Sequence, residues 1–199
     1  FERNIINIPE VSSVHPKVAI VYNEPEDSRY SSMGEAKAVL GVLDEVEAVQ
    51  QALTELGYTV VKMPLRPPME QVKKMLESLD CALLFNLFEG FEGCPETEVI
   101  FAEILGERGI PYTGCPPAAL AMALDKSKTK ALLDSSGIET PRYQVLNAQN
   151  LSSFCLTYPC IVKPCGEDAS HGLREDSVVG EFASLKNQVQ RVSELFGGS

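Results

Sequence analysis

The stretch Lys17–Asn23, KVAIVYN, is a run of β-branched and apolar residues between polar neighbours, and it indicates the class of fold. A run that is apolar on both faces is typical of a buried parallel strand. Three further runs of this kind follow, at residues 58–63 (closed by Pro64), 81–85 (CALLF) and 110–113. The sequence therefore predicts four strands, of which the last is short.

Apolar residues at helical spacing occupy the intervals between these strands. In residues 44–56 the stripe consists of Val46, Val49, Leu53 and Leu56. Gly57 is placed to end that helix. Two more helices are expected, at residues 69–79 and about 96–108. Strands that alternate with helices in this way predict an α/β fold with a doubly wound parallel sheet over residues 15–120.

A second unit is expected after residue 120. A helix begins near Asp125, whose carboxylate can cap its N-terminus, and ends at Gly137. Short strands are predicted at residues 143–146 and 160–163, and a final helix at residues 181–196. The chain is thus divided into a lead-in arm at residues 1–14, a sheet domain at 15–120 and a smaller α+β unit at 121–199.

The amino-acid composition argues against several classes of function. The 199 residues carry a formal net charge of -11, which argues against binding nucleic-acid phosphates or an anionic membrane surface. No apolar stretch approaches the length of about 20 residues that spans a bilayer. Residues 1–16 lack the apolar core of a signal peptide. Six cysteines occur without a C-x-x-C pair and with only two histidines, which argues against a zinc site and favours reduced thiols in the cytoplasm.

The segment at residues 160–173, CIVKPCGEDASHGL, is the most informative for chemistry. A predicted strand carries Lys163 near its end, and Pro164 interrupts the hydrogen-bond ladder of that strand. A loop of small residues follows, with glycines at positions 166 and 172. Small residues allow backbone N–H groups to approach a phosphate, and the lysine supplies positive charge. The same pattern also fits a hairpin loop with a surface lysine. The P-loop motif does not occur in the chain, nor does G-x-G-x-x-G after Asn23.

A second lysine motif, LDKSKTK, occupies residues 124–130. Three lysines in five residues are usually a solvated helix face. Their position about 37 residues before Lys163 resembles the arrangement in ATP-grasp enzymes, and that resemblance implies that two ammonium groups from different elements meet the phosphates of one nucleotide.

Four motifs, in this order, make the sequence similar to a known family. They are IPYTG at residues 110–114, LDKSKTK at 124–130, GIETP at 137–141 and IVKP at 161–164. Together they resemble the D-alanine–D-alanine ligase-like ATP-grasp enzymes over about residues 80–175. The resemblance implies a Rossmann-like pre-ATP-grasp domain at residues 15–120, followed by an incomplete first ATP-grasp subdomain at residues 121–199.

The resemblance also implies roles for individual residues. The lysines of the DK and VKP motifs bind ATP in this family, which points to Lys126 and Lys163. The loop after VKP covers the phosphates, which points to Glu167, Asp168, Ala169, Ser170, His171 and Gly172. Ser170 is the expected catalytic member of this set, and the others are expected to bind the nucleotide.

Three departures from the family pattern concern the amino-acid substrate more than the nucleotide. The phosphate loop is EDASHG in place of E-G-S-S-x-G. Residues 85–98, FNLFEGFEGCPETE, replace an H-G-x-x-G-E-D-G segment and contain no histidine. Asn23-Glu24-Pro25 follows the first strand, where the family has a Gly-Gly turn and a glutamate for the substrate amine.

The reaction implied by the resemblance is the ATP-dependent joining of a carboxylate to an amine through an acyl phosphate. With D-alanine as the substrate, the product is a peptidoglycan precursor. The expected cofactors are ATP and Mg²⁺, with the magnesium ligands beyond residue 199, so the isolated chain is expected to be inactive. The expected partners are ATP and small amino acids, with a homodimer left open and no nucleic acid or membrane.

Two alternatives to this function remain open. The altered segment at residues 85–98 and Ala169 favour an ATP-grasp ligase with a different acid and amine. The lack of recognisable magnesium ligands favours a non-catalytic α/β module that binds a ligand.

Overall fold

The computed structural model describes residues 15–25, 36–91, 94–167 and 172–196. Strands β1 (Lys17–Asn23), β2 (Thr59–Leu65) and β3 (Leu83–Leu87) form a sheet in the order β2-β1-β3. The central strand β1 pairs in parallel with both neighbours. The chain moves from β1 outward to β2 and then crosses back to the other side of β1, so the strand order reverses direction beside β1.

Helices cover both faces of this sheet. They are α1 (Ala36–Glu55), α2 (Met69–Glu77) and α3 (Glu96–Glu107). Ile20 of β1 belongs to an apolar cluster with Val46 of α1, whereas Val21 belongs to a cluster with Val72 of α2 and Phe101 of α3. Successive side chains of a strand point to opposite faces, so α1 lies on one face and α2 and α3 lie on the other. The predicted doubly wound α/β fold is confirmed.

The predicted strand limits need three corrections. Strand β2 continues through Pro64, which the sequence predicts as its end. Because β2 is an edge strand, the missing N–H of proline is tolerated there. Strand β3 begins two residues later than the predicted run at 81–85, and half-buried Cys81 lies before it. The fourth predicted strand is an isolated parallel bridge between Leu84 and Tyr112.

Two helices also differ from the prediction. Helix α1 begins at Ala36 rather than at residue 44, and it excludes Leu56, whose exposure is 73%. Helix α4 (Pro117–Leu124) is absent from the prediction. Its sequence, PAALAMAL, has no polar residue, so it offers no contrast between a buried and an exposed face.

The remaining elements form a smaller α+β unit. Helix α5 (Lys126–Ser135) follows Asp125, and β4 (Cys160–Ile161) pairs antiparallel with β5 (Val178–Val179) ahead of α6 (Phe182–Phe196). The predicted strand at residues 143–146 is wrong, and β4 is shorter than the predicted strand at 160–163. A buried cluster of Leu151, Val179, Leu185 and Val189 joins the hairpin to α6.

Helix α4 runs across residues 120–121, where the sequence places a domain boundary, and that boundary stays a prediction. The predicted arm at residues 1–14 lies outside the described residues. Within the described ranges, no helix combines the length and the apolar character needed to cross a bilayer.

Candidate nucleotide-binding site

The first turn of α5 is fixed by Asp125, as the sequence predicts. The Asp125 carboxylate accepts hydrogen bonds from the backbone N–H groups of Ser127 and Lys128, both at 3.0 Å, and from the Ser127 hydroxyl at 2.6 Å. The Lys128 ammonium lies 3.1 Å from Asp125 Oδ2. The bond from Ser127 and the contacts of Lys128 hold the pKa of this carboxyl well below its usual range. The cap is therefore negatively charged at neutral pH, which suits a helix N-terminus.

Lys126, the first residue of α5, joins the helix to the segment that follows β4. Its backbone N–H donates to the Cys165 carbonyl at 3.1 Å, and its ammonium donates to the Glu167 carbonyl. The structure thereby brings together the two motifs that carry the predicted ATP lysines. A lysine ammonium has three donors, so one that bonds a single carbonyl retains capacity for an anion.

Lys163 lies two residues after the end of β4. It is exposed, and it makes no hydrogen bond or ion pair with another described residue. The backbone before it is held in place, because the N–H of Val162 donates to the Ser177 carbonyl at 2.9 Å. An exposed ammonium on an anchored backbone can meet an incoming phosphate at little reorganisation cost.

Lys130 has a different role from the other lysines of the motif. Its ammonium donates to Thr140 Oγ1 at 2.6 Å and to the Pro141 carbonyl at 2.7 Å, and it lies 5.3 Å from the centre of the Tyr143 ring. These contacts fasten the chain that leaves α5. Lys126 is thus the lysine of this motif whose ammonium bonds the segment after β4.

Of the predicted phosphate loop, Glu167 and Gly172 belong to the described residues. Asp168, Ala169, Ser170 and His171 lie outside them, so their roles stay predictions. Gly172 is buried and has φ +76°, a left-handed conformation that side chains rarely adopt. A Cβ at this position would also collide with the ring of Phe196 in α6. Glycine is therefore required here by both the backbone and the packing.

A second polar group lies at the carboxyl end of the parallel sheet, where open α/β folds bind ligands. Asn23 Nδ2 donates to the Gly90 carbonyl at 2.6 Å, and Asn23 Oδ1 accepts from the Glu89 N–H at 3.0 Å. Asn86 Oδ1 accepts from the Phe88 N–H at 3.1 Å. No motif in the sequence indicates these asparagines as site residues. The feature that could have indicated them in the sequence is their position near the carboxyl ends of two predicted strands.

Charged residues extend this edge of the sheet. Glu24, directly after β1, pairs with Arg66, directly after β2. The hydrogen bond from Arg66 lowers the pKa of the Glu24 carboxyl. Glu96 and Glu98 occupy the first turn of α3, where negative charge favours the helix dipole. Glu92, from the same acidic segment, lies outside the described residues.

Comparisons with known proteins identify relatives that match most of the chain. No protein-family model matches the chain. The chain is 32% identical over 171 residues to the D-alanine–D-alanine ligase of Pseudomonas putida (strain GB-1), a match that covers 84% of this chain and 49% of that protein. It is 26% identical over 190 residues to the D-alanine–D-alanine ligase of Marinobacter nauticus, which covers 94% of this chain and 54% of that protein. Over most of its length, the chain is similar to D-alanine–D-alanine ligases. It spans about half the length of the curated relatives it matches.

Solved structures share the fold of this ligase-like chain. The D-alanine–D-alanine ligase of Bacillus anthracis complexed with ATP matches with a TM-score of 0.60 at 23% identity, over 92% of this chain and 54% of that one. The VanG D-Ala:D-Ser ligase of Enterococcus faecalis matches with a TM-score of 0.62 at 17% identity, over 91% and 60%. At these identities the likeness establishes the fold alone.

Proposed function

We propose that this chain carries the phosphate-binding lysines of an ATP-dependent carboxylate–amine ligase of the D-alanine–D-alanine ligase type. The observation that carries the proposal is the convergence of the two lysine motifs, in which Lys126 bonds the backbone shortly after Lys163. The Bacillus anthracis relative has been solved in complex with ATP, which supports ATP as the nucleotide.

Two cations from separate elements suit a polyphosphate better than a single cation does. Each charge-assisted hydrogen bond to a phosphate oxygen stabilises the complex by roughly 1.5–3 kcal/mol. We assign ATP binding to Lys126 and Lys163, together with the loop that begins at Glu167 and ends at Gly172. Within that loop, we assign the catalytic role to Ser170 and nucleotide contacts to Asp168, Ala169 and His171.

The proposed reaction has two steps. A carboxylate oxygen of the first substrate attacks the γ-phosphorus of ATP, the bond to the β–γ bridging oxygen breaks, and ADP leaves. The amine of the second substrate then attacks the acyl carbon and loses a proton, and inorganic phosphate leaves. Lys126 and Lys163 would offset the negative charge of the transferring phosphoryl group.

Magnesium is the metal expected for this family. Among the described residues, no group of three or more His, Cys, Asp or Glu side chains is placed to hold a metal ion. We therefore assign no described residue to magnesium. The position of its ligands beyond residue 199 stays a prediction, as do the cytoplasmic location, the peptidoglycan pathway and the homodimer.

ATP kinetics of the lysine variants test the nucleotide site. In the full-length protein, we expect Lys163→Met and Lys126→Met each to lower kcat/KM for ATP by at least about tenfold, the equivalent of 1.36 kcal/mol. Methionine keeps the length and apolar packing of the stem and removes the ammonium. Lys128→Met is the matched control, because its side chain is 72% exposed and its ammonium pairs with Asp125.

Two results would contradict the proposal. Equal sensitivity of Lys128 and Lys126 would show that the wrong lysine is assigned, and unchanged kinetics in all three variants would leave only a shared fold. We also propose that the 199-residue chain by itself does not turn over ATP, and ADP release that Lys163→Ala abolishes would contradict this.

A second candidate is a ligase that joins a different acid and amine. It is favoured by the carboxyl edge of the sheet, where Asn23, Asn86 and the Glu24–Arg66 pair accompany a segment that lacks the family histidine. Analysis of the products formed from a panel of D- and L-amino acids separates the candidates. D-alanyl-D-alanine as the main product supports the first, and any other dipeptide supports the second.

A further inference from the structure

Arg191 of α6 connects separate parts of the smaller unit. Its Nη2 donates to the Gly172 carbonyl at 2.8 Å and to Ser177 Oγ at 3.4 Å, and its Nε donates to Gln188 Oε1 at 2.8 Å. Ser177 and Gln188 are both buried. The guanidinium of this half-buried residue thus lies between the helix and the turn that precedes β5.

Ser177 extends this connection towards Lys163. The Ser177 carbonyl accepts from the N–H of Val162 at 2.9 Å, and the Ser177 hydroxyl accepts from the N–H of Arg174 at 3.0 Å. Arg191 therefore contacts the same residue that holds the backbone immediately before Lys163.

Arg191 is half-buried, and its innermost nitrogen carries an energetic cost. Its Nη1 is buried and has no hydrogen-bond partner among the described residues. An unpaired buried donor is unfavourable, and a methionine would occupy much of the same space without that penalty. An arginine is distinguished by several donors in a rigid plane, which allow it to hold several acceptors at once.

We propose that Arg191 is a positioning residue for the ATP site. It holds Gly172, where the predicted phosphate loop ends, and through Ser177 it holds the backbone beside Lys163. Phe196 of the same helix packs against Gly172, so α6 bounds this end of the loop by apolar contact as well as by a hydrogen bond. The inference rests on the proposed function, and it requires no contact between Arg191 and the nucleotide.

Nucleotide binding combined with backbone amide exchange tests this role. In the full-length protein, we expect Arg191→Met to raise the Kd for ATP about fivefold to tenfold, which is less than the loss of a direct charge-assisted contact because Arg191 acts through the backbone. Amide hydrogen exchange at residues 172–177 should become faster in the same variant. Arg191→Lys keeps one donor and should raise the Kd by only about threefold. Lys186→Met is the matched control, since it removes an exposed cation from the same helix and should leave both readouts unchanged.

The outcomes separate this inference from the proposed function. An unchanged Kd in Arg191→Met, alongside weakened binding in Lys163→Met, overturns the positioning role and leaves the nucleotide site standing. Unchanged binding in both Lys163→Met and Lys126→Met contradicts the nucleotide site and the inference with it. If Arg191→Met does not fold, the Kd of Arg191→Lys tests the positioning role instead. An unchanged Kd in that folded variant overturns the role.

Discussion

The three lysine ammonium groups in the first turns of α5 have different partners. That of Lys126 bonds the Glu167 carbonyl, and that of Lys128 pairs with Asp125. That of Lys130 bonds the chain beyond the helix. On sequence alone, Lys128 and Lys130 are equivalent controls for Lys126. The structure separates them, because Lys130→Met would remove two hydrogen bonds that fasten the residues after α5. Lys128 is therefore the better control, because its exposed side chain fastens no segment beyond the helix and Lys128→Met keeps the backbone bond to the Asp125 cap.

The lowered pKa of the Asp125 carboxyl implies that the stability of the fold depends on pH. Its folded pKa is lowered, chiefly by the bond from Ser127, relative to an unfolded value of about 3.9. The stabilisation from the charged cap is therefore fully present above about pH 4 and is lost as the pH falls towards the lowered folded pKa. Asp125→Asn keeps an acceptor but no charge. We expect the Tm advantage of the wild type over this variant to shrink below about pH 4 in thermal unfolding followed by circular dichroism. A constant difference across that range would argue against a charged cap.

At the scale of elements, the adjacent helices α4 and α5 differ in how readily they can be predicted from sequence. Helix α5 has a capping aspartate at its start, a signal that depends on residues two and three positions away. Helix α4 has neither a polar face nor a side-chain cap, and none of its residues is buried. Its helical structure therefore leaves no periodic pattern to detect.

The contact between α6 and Gly172 gives a prediction for the stability of the smaller unit. Gly172→Ala would place a Cβ on a left-handed backbone and against the Phe196 ring. The strained backbone and the overpacking together should lower the free energy of unfolding by about 2–4 kcal/mol. Gly166→Ala is the matched control, because a Cβ there would meet its nearest neighbour, the Leu124 carbonyl oxygen, at an ordinary 3.9 Å. Urea unfolding of both variants measures the difference, and equal losses would contradict this packing.

At the scale of the whole molecule, the larger apolar cluster lies between the sheet and the α2–α3 face. Phe101 of α3 is fully buried there, with its ring centre 5.1 Å from that of Phe88. We expect Phe101→Ala to lower the free energy of unfolding by about 3–5 kcal/mol, since a large buried side chain leaves a cavity. Leu56→Ala, at a residue that is 73% exposed, should change it by less than about 0.5 kcal/mol. Chemical denaturation measures both values. A similar loss in the two variants would show that the core lies elsewhere.

The sequence by itself determined the features that depend on near neighbours. The limits of β1, the cap at Asp125 and the final helix follow from local composition and periodicity, because strand and helix signals repeat within a few residues. The four short motifs likewise indicate the resemblance to the ligases and the two lysines, Lys126 and Lys163, because each motif is a local pattern.

The tertiary structure decided which distant groups meet. Pro64 lies inside β2 because that strand is at an edge of the sheet, a position that no local pattern specifies. The bond from Lys126 to the Glu167 carbonyl and the bond from Arg191 to the Gly172 carbonyl each join segments that are far apart in the chain. Such contacts depend on how the elements pack in three dimensions. For that reason, the sequence alone indicates Lys126 and Lys163 of the candidate site, whereas Arg191 is identified only from the packing of the folded chain.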